Sequence, residues 1–239
     1  STRVRSSAAS DVYKRQLIDH AWGWEPCTIA AIKTYRPKSS GLSSGQVLPE
    51  PYPHEKARLI VREMADQLSL ELVEKGLVCS QFVLDIGYDA ENLSAPAQQR
   101  SYHGLTKTDR YGRAVPAAAH GSANLSVPAS SARILMQTAA EVFDRIADSR
   151  LSVRRVTVTA AGLLRQEEAQ LVGGDQLDFF GNYAAHQQQK AELERELSGQ
   201  QAIVALRQKY GKNAVLRGMD LQEGATTKNR NGQIGGHKA

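Results

Sequence analysis

Between Ala57 and Leu72 the apolar residues fall at Ala57, Ile60, Met64, Leu68 and Leu72, steps of three or four that line one face of a helix. Pro53 at a first helical position and Glu55 in the first turn set its start. Lys75-Gly76, a basic last turn followed by a glycine cap, sets its end. The period then drops to two. Phe82, Leu84, Ile86 and Tyr88 alternate with Gln81, Val83, Asp85 and Gly87, the pattern of a strand with one apolar face. A second alternation sets Ala123, Leu125 and Val127 against Ser122, Asn124 and Ser126. Ser130 or Ser131 then caps a helix with the stripe Leu135, Ala139, Val142 and Ile146. Leu151 to Ala160 closes the series, with Val156 and Val158 opposed to Arg155, Thr157 and Thr159. Upstream, Ser43 to Leu48 is a short run ended by Pro49-Glu50-Pro51, which suits an edge strand.

The order is strand, helix, strand, strand, helix, strand. Two helices with one apolar stripe each need one apolar sheet face. The pattern therefore predicts an α+β two-layer sandwich, a four-stranded antiparallel sheet with both helices on one side. The opposite face, lined by Ser122, Asn124, Ser126, Arg155, Thr157 and Thr159, is expected to be polar, small and acid-free. A solvated surface explains it as well as a binding surface does. Asp89 to Ala119, between the middle strands, is far longer than a hairpin loop. Tyr102-His103-Gly104 and Arg110-Tyr111-Gly112-Arg113 suit a small hairpin within it.

The flanks read differently. Leu17 to Tyr35 suggests short helical pieces interrupted by Gly23 and Pro26, with Trp22 and Trp24 as packing residues, and Arg36 to Gly41 reads as a linker. Gln187 to Tyr210 is a predicted helix, interrupted at Ser198-Gly199, with a thin seam of Leu193, Leu197, Ile203, Leu206 and Tyr210. Its Glu192, Glu194 and Glu196 read as a solvated face, and the polar, glycine-rich Gly224 to Ala239 as disordered.

Composition narrows the function classes. Hydrophobic residues make up 41% and mean hydropathy is −0.42. No stretch approaches the roughly 18 apolar residues of a membrane span. A soluble, cytoplasmic chain without a membrane partner is expected. Cys27 and Cys79 form no Cys-x-x-Cys pair, and the histidines show no helical pair at ligand spacing, which disfavours a disulfide scaffold, a zinc module and an Fe–S site. The net charge of +5 suggests nucleic acid until it is divided along the chain: residues 1–16 alone hold four Lys/Arg against one Asp. That stretch has neither a signal-peptide core nor an amphipathic pattern. Ser6 to Gln16 resembles translated adapter sequence at the broken end of a gene, and the chain has no initiator Met. A non-native or disordered leader on a gene cut at its 5′ end is the expectation.

Five sequence blocks carry a resemblance. Ser43-Ser44-Gly45-Gln46-Val47-Leu48, then Glu63-Met64-Ala65 and Lys75-Gly76-Leu77-Val78, resemble the C-terminal part of Y-family DNA polymerases of the UmuC/DinB type. The tail blocks Lys212 to Met219 and Asn231 to Ala239 look like the UmuC-like repair polymerases of some bacteria. The resemblance implies a thumb remnant and linker at 17–37, a little-finger DNA-binding domain at 38–165 and a tail at 166–239. It implies that the open sheet face lies along primer-template backbones in translesion synthesis, DNA repair and the SOS response. Carried onto this chain, the DNA-binding candidates are Lys33, Arg36 and Lys38 in the linker, and Ser44, Gln46, Ser122, Asn124, Ser126, Arg155, Thr157 and Thr159 on the face, with Arg154 at its margin.

Nucleotide transfer in this family needs acids that hold two Mg²⁺ ions. Those acids lie in a palm absent from these residues: Asp85 is isolated, and no carboxylate cluster in an apolar strand replaces it. Mg²⁺ is thus implied for the parent polymerase, no cofactor for this fragment, and no nucleotide incorporation by it. The palm and fingers of the parent become expected partners. A second partner is suggested by Gln176-Leu177-Asp178-Phe179-Phe180, which resembles the bacterial sliding-clamp-binding peptide. Leu177 and Phe180 suit apolar pockets and Gln176 polar contacts, as in short peptides where a few anchors carry the energy. Two alternatives share the element order. An RNA-recognition module would stack bases on strand aromatics, and His120 to Val127 has none. A ferredoxin-like regulatory domain lacks a glycine-rich ligand loop here and leaves the clamp-like peptide unexplained.

Overall fold

A computed structural model of the chain describes residues 17–24, 27–35, 41–94, 102–109, 111–172, 183–234 and 237–238. Two compact units emerge, Ser1–Ser39 and Ser40–Ala239. In the first, residues 17–21 are helical, and α1 (Ile29–Thr34) is capped by Thr28, whose hydroxyl accepts from the Ala31 amide at 3.1 Å. No residue of α1 is buried. Trp22 is 86% exposed, so the expected packing role is not met within this unit. The described residues of this unit form no second layer with which to cover an indole.

The second unit holds the predicted sandwich. Its strands are β1 (Gly41–Tyr52), β2 (Leu77–Tyr88), β5 (Ala119–Ala129) and β6 (Val153–Arg165), with α2 (His54–Glu74) and α3 (Ala132–Ile146) between them. The sheet order is β1-β6-β2-β5, antiparallel throughout. Every residue of the α2 stripe is buried, as are Phe82, Leu84, Ile86, Val156 and Val158 beneath the two helices. Gly76 ends α2 at φ +63°, the left-handed conformation of a glycine cap. Ser131 caps α3 by accepting from the Ile134 amide. Arg58 clamps the helices together, donating to both carboxylate oxygens of Asp144 at 2.8 and 2.9 Å.

Two strand expectations change. β6 extends to Arg165, five residues beyond Ala160, through Gly162 at φ +61°. A Cβ there would lie 2.1 Å from the Ser80 hydroxyl and would strain the left-handed backbone, so the position favours glycine. Val127 is 41% exposed rather than inward. The β2–β5 register jumps from Gln81↔Asn124 to Cys79↔Ala129, and the extra β5 residues form a bulge that breaks the alternation.

The long insertion does contain a hairpin, β3 (Thr106–Thr108) paired with β4 (Ala114–Pro116). Beyond β6 come α4 (Gln166–Val172) and α5 (Tyr183–Tyr210). The expected break at Ser198-Gly199 is absent, and α5 runs through both residues. An interior glycine costs about 1 kcal/mol, and tertiary contacts on either side offset it. Glu196 accepts from the Ser131 hydroxyl at 2.7 Å and the Arg133 amide at 2.9 Å. Buried Gln200 donates to Ser69 Oγ and the Ser130 carbonyl. Glu196 is therefore a capping partner of α3, not part of a solvated face.

Residues 224–234, within the stretch expected to be disordered, are ordered instead, because the segment 211–234 packs along α2. Asp66 and Glu63 of α2 are buried on the flank of its apolar stripe. Arg217 donates to Asp66 at 2.6 Å, and the Thr226 amide donates to Glu63 at 3.0 Å. Lys56 pairs with Glu223 at 2.6 Å. A short helix, α6 (Thr227–Arg230), brings the Arg230 guanidinium to Ser44.

Burial pushes the Glu63 carboxyl up, and the Thr226 amide bond only partly opposes it. A raised folded pKa contributes stability below the ordinary value, about 4.3, and that contribution is lost as pH rises through the folded pKa. Glu63→Gln should therefore gain stability relative to the native chain between pH 4 and pH 7, read from denaturant midpoints. A constant difference across that range would count against the assignment.

Candidate nucleic-acid interface

Alternation on four paired strands builds the uncovered face as rows across the sheet. One row is Ser43, Thr159, Val83 and Ser122; the next is Gly45, Thr157, Asp85 and His120. Val47, Arg155 and Gly87 form the row at one end, and Gly41, Ala161, Gln81 and Asn124 the row at the other. The surface is small-residued and hydroxyl-rich. Thr159 donates to Ser43 at 2.9 Å, and Gln81 donates to Asn124 at 3.1 Å. No Phe, Tyr or Trp occupies these positions, and the one imidazole in the rows, His120, is tied to Asp85. The central strands are β2 and β6, and β5 is an edge.

The face is not acid-free. Asp85 stands in the middle of it, held at 2.7 Å from His120 Nδ1 on β5. Its parity was legible, since Asp85 alternates with buried Leu84 and Ile86.

Among the expected face residues, Ser122, Asn124, Arg155, Thr157 and Thr159 come together. Ser126 is exposed in the β5 bulge. Ser44 and Gln46 do not join them. Their pairing with buried Val158 and Val156 puts them on the helix side, where Arg230 holds Ser44 and Thr226 accepts from Gln46 at 2.9 Å. Ser43, Gln81 and His120 hold open-face positions instead. Arg154 is the extra residue of a second bulge, where Gly87↔Arg155 gives way to Tyr88↔Val153, and it faces Asp89 at 3.6 Å. Arg145 reaches the β5 edge from α3 and donates to the Ser122 carbonyl at 2.7 Å. Lys33 is an exposed residue of α1 in the first unit; Arg36 and Lys38 lie outside the described residues, as do Gln176 to Phe180 and residues 1–16.

The end row of the face opens into a cavity of about 1100 Å³, walled by the β3–β4 turn and the segment after β2. Asp109 ties that turn, accepting from the Tyr111 and Arg113 amides at 2.8 and 2.9 Å and from Arg113 Nε at 2.8 Å. Those bonds hold its carboxyl below the ordinary range. Gly112 supplies the positive φ of +81°. Among the described residues no cluster of three or more His, Cys, Asp or Glu could hold a metal ion, and no helix is long and apolar enough to cross a membrane.

Residues 39–173 match the model of the impB/mucB/samB family C-terminal domain. No curated protein matches the chain.

Proposed function

The chain belongs to the impB/mucB/samB family, and from that premise we propose that its open sheet face holds primer-template DNA by the backbone. It carries the C-terminal part of a UmuC/DinB-type Y-family polymerase, a class that acts in DNA damage tolerance. The observation that supports the finer reading is the pairing of that family domain with an uncovered four-strand face of hydroxyls and amides around Arg155. Hydroxyls and guanidinium suit phosphate oxygens, which position a protein without reading sequence. Asp85 opposes phosphate, so the hold is weak and depends on the few cations at the margin. Lys33, Arg36 and Lys38 add backbone contacts from the linker, and Gln176 to Phe180 tether the polymerase to the sliding clamp. The described residues offer no carboxylate set that fits Mg²⁺. This reading therefore gives them DNA holding, and leaves nucleotide transfer to the palm and fingers of the parent, against which the exposed apolar residues of the first unit pack.

The test is a titration of primer-template DNA over a range of salt. Binding should be sequence-independent and weaken with salt, with a slope set by the few cations that meet phosphate. Arg155→Ala should lower affinity and reduce the salt slope by about one. Arg154→Ala should do less, because Asp89 already engages that guanidinium. Unchanged affinity in Arg155→Ala would reject the surface. Nucleotide extension by the pure chain with Mg²⁺ and triphosphates would overturn the division of labour.

A further inference from the structure

The cavity at the end of the sheet has the parts of a nucleotide subsite. Its floor includes Arg155, the cation of the open face, and its wall includes Tyr111 at the tip of the β3–β4 hairpin. Among the described residues three arginines border the space, and two are committed: Arg113 to Asp109 at 2.8 Å and Arg154 to Asp89 at 3.6 Å. Arg155 makes no ion pair among the described residues. Tyr111 is 71% exposed, yet its backbone is fixed by the Asp109 carboxylate and its ring lies 5.3 Å from the Arg113 guanidinium. An aromatic that is exposed but held in place has already lost much of the entropy that binding would cost it.

We propose that this cavity takes one unpaired nucleotide of the DNA strand lying on the open face, its base against Tyr111 and its phosphate at Arg155. The proposal rests on the reading of that face as the DNA surface. A strand crossing the hydroxyl rows meets Arg155 in the last row before the cavity. A paired base is locked in its stack and cannot enter. An unpaired base at a bulge or template overhang can, and a cavity of about 1100 Å³ has room for it. The sheet rows hold no Phe, Tyr or Trp, and their one imidazole, His120, is tied to Asp85, so the hairpin supplies the larger stacking partner. The long insertion between β2 and β5 thereby discriminates unpaired from paired DNA.

The experiment compares a duplex carrying a single-nucleotide bulge, with 2-aminopurine as the bulged base, against the same duplex without it. Both are titrated with the full chain and with Tyr111→Ala and Tyr111→Phe. Stacking on an aromatic is worth about 1–3 kcal/mol per base, so the native chain should prefer the bulged duplex about fivefold or more and change the 2-aminopurine fluorescence. Tyr111→Ala should lose the preference and the fluorescence change while binding the plain duplex as before. Tyr111→Phe should keep both. Equal affinity of the native chain for the two duplexes, or a preference that survives Tyr111→Ala, overturns the subsite and leaves the DNA face standing. Binding to neither duplex overturns both.

Discussion

Arg217→Ala should free the C-terminal segment from α2 while leaving the sheet folded. Asp66 is covered, its side chain 3% exposed, and Arg217 donates to it at 2.6 Å. Burial pushes that carboxyl up and the guanidinium opposes the push. Removing one partner of a fully buried pair typically costs about 3–5 kcal/mol, because the remaining charge is left uncompensated; here the Arg217 side chain is 38% exposed, so solvent screening makes the cost smaller. The chain has a cheaper alternative. If the segment 211–234 lifts away, Asp66 is hydrated and the cost is limited to the contacts given up, among them Lys56 to Glu223 and Thr226 to Glu63. The lower of the two costs decides, and nothing in either requires β2 or β6 to open.

Trypsin should therefore cut Arg217→Ala rapidly at Lys228 and Arg230, sites that the native chain protects, while a fragment containing 41–165 persists. The double variant carrying Asp66→Asn should recover much of the protection, since the neutral amide can stay covered. Protection of the tail unchanged in Arg217→Ala would mean that the pair contributes nothing to docking. Rapid loss of the whole domain would mean that the tail and sheet unfold as one unit.

The tail and the strand phase explain what the residue pattern revealed and what it concealed. The α2 stripe and the alternation of β2 are long and one-sided, so period alone placed them. β1 offered no such contrast. In Ser43-Ser44-Gly45-Gln46-Val47-Leu48 small polar residues fill both parities, and the two apolar residues are adjacent, one on each face. The core accepted Leu48, which carried Gln46 and Ser44 to the helix side with it. Glu63 and Asp66 concealed the tail in a different way: on an amphipathic helix acids beside the stripe look like surface charges, and only their partners, more than 150 residues later, show that they are covered. The same distance made Gly224 to Arg230 resemble a disordered end. Its composition carries little apolar area: Thr226 and Thr227 are buried through bonds to one acid, Glu63, and not through an apolar stripe that a sequence pattern would show.

Leu177 and Phe180 should dominate binding of the chain to the bacterial sliding clamp. A peptide spanning Gly174 to Tyr183 is expected to bind with roughly micromolar affinity, about −8 kcal/mol. Changing both residues to Ala should cost at least about 2 kcal/mol, the threshold of a hot spot, or roughly thirtyfold in Kd. Placement adds a further expectation. The motif lies in residues 173–182, between α4, whose first amide donates to the Gly76 carbonyl, and α5, which Gln200 and Glu196 fix to the domain. It is joined to the domain at both ends, and ten residues span at most about 35 Å. The intact chain should therefore bind the isolated clamp no tighter than the peptide does. The gain comes when clamp and chain share one DNA: a hold on the ring raises the local concentration of the sheet face at the backbone, which a weak face needs. Calorimetry with equal binding by native and doubly substituted peptides, or none by either, would leave the motif an accident of composition. Tight peptide binding with no gain on clamp-loaded DNA would keep the motif and remove the tethering role.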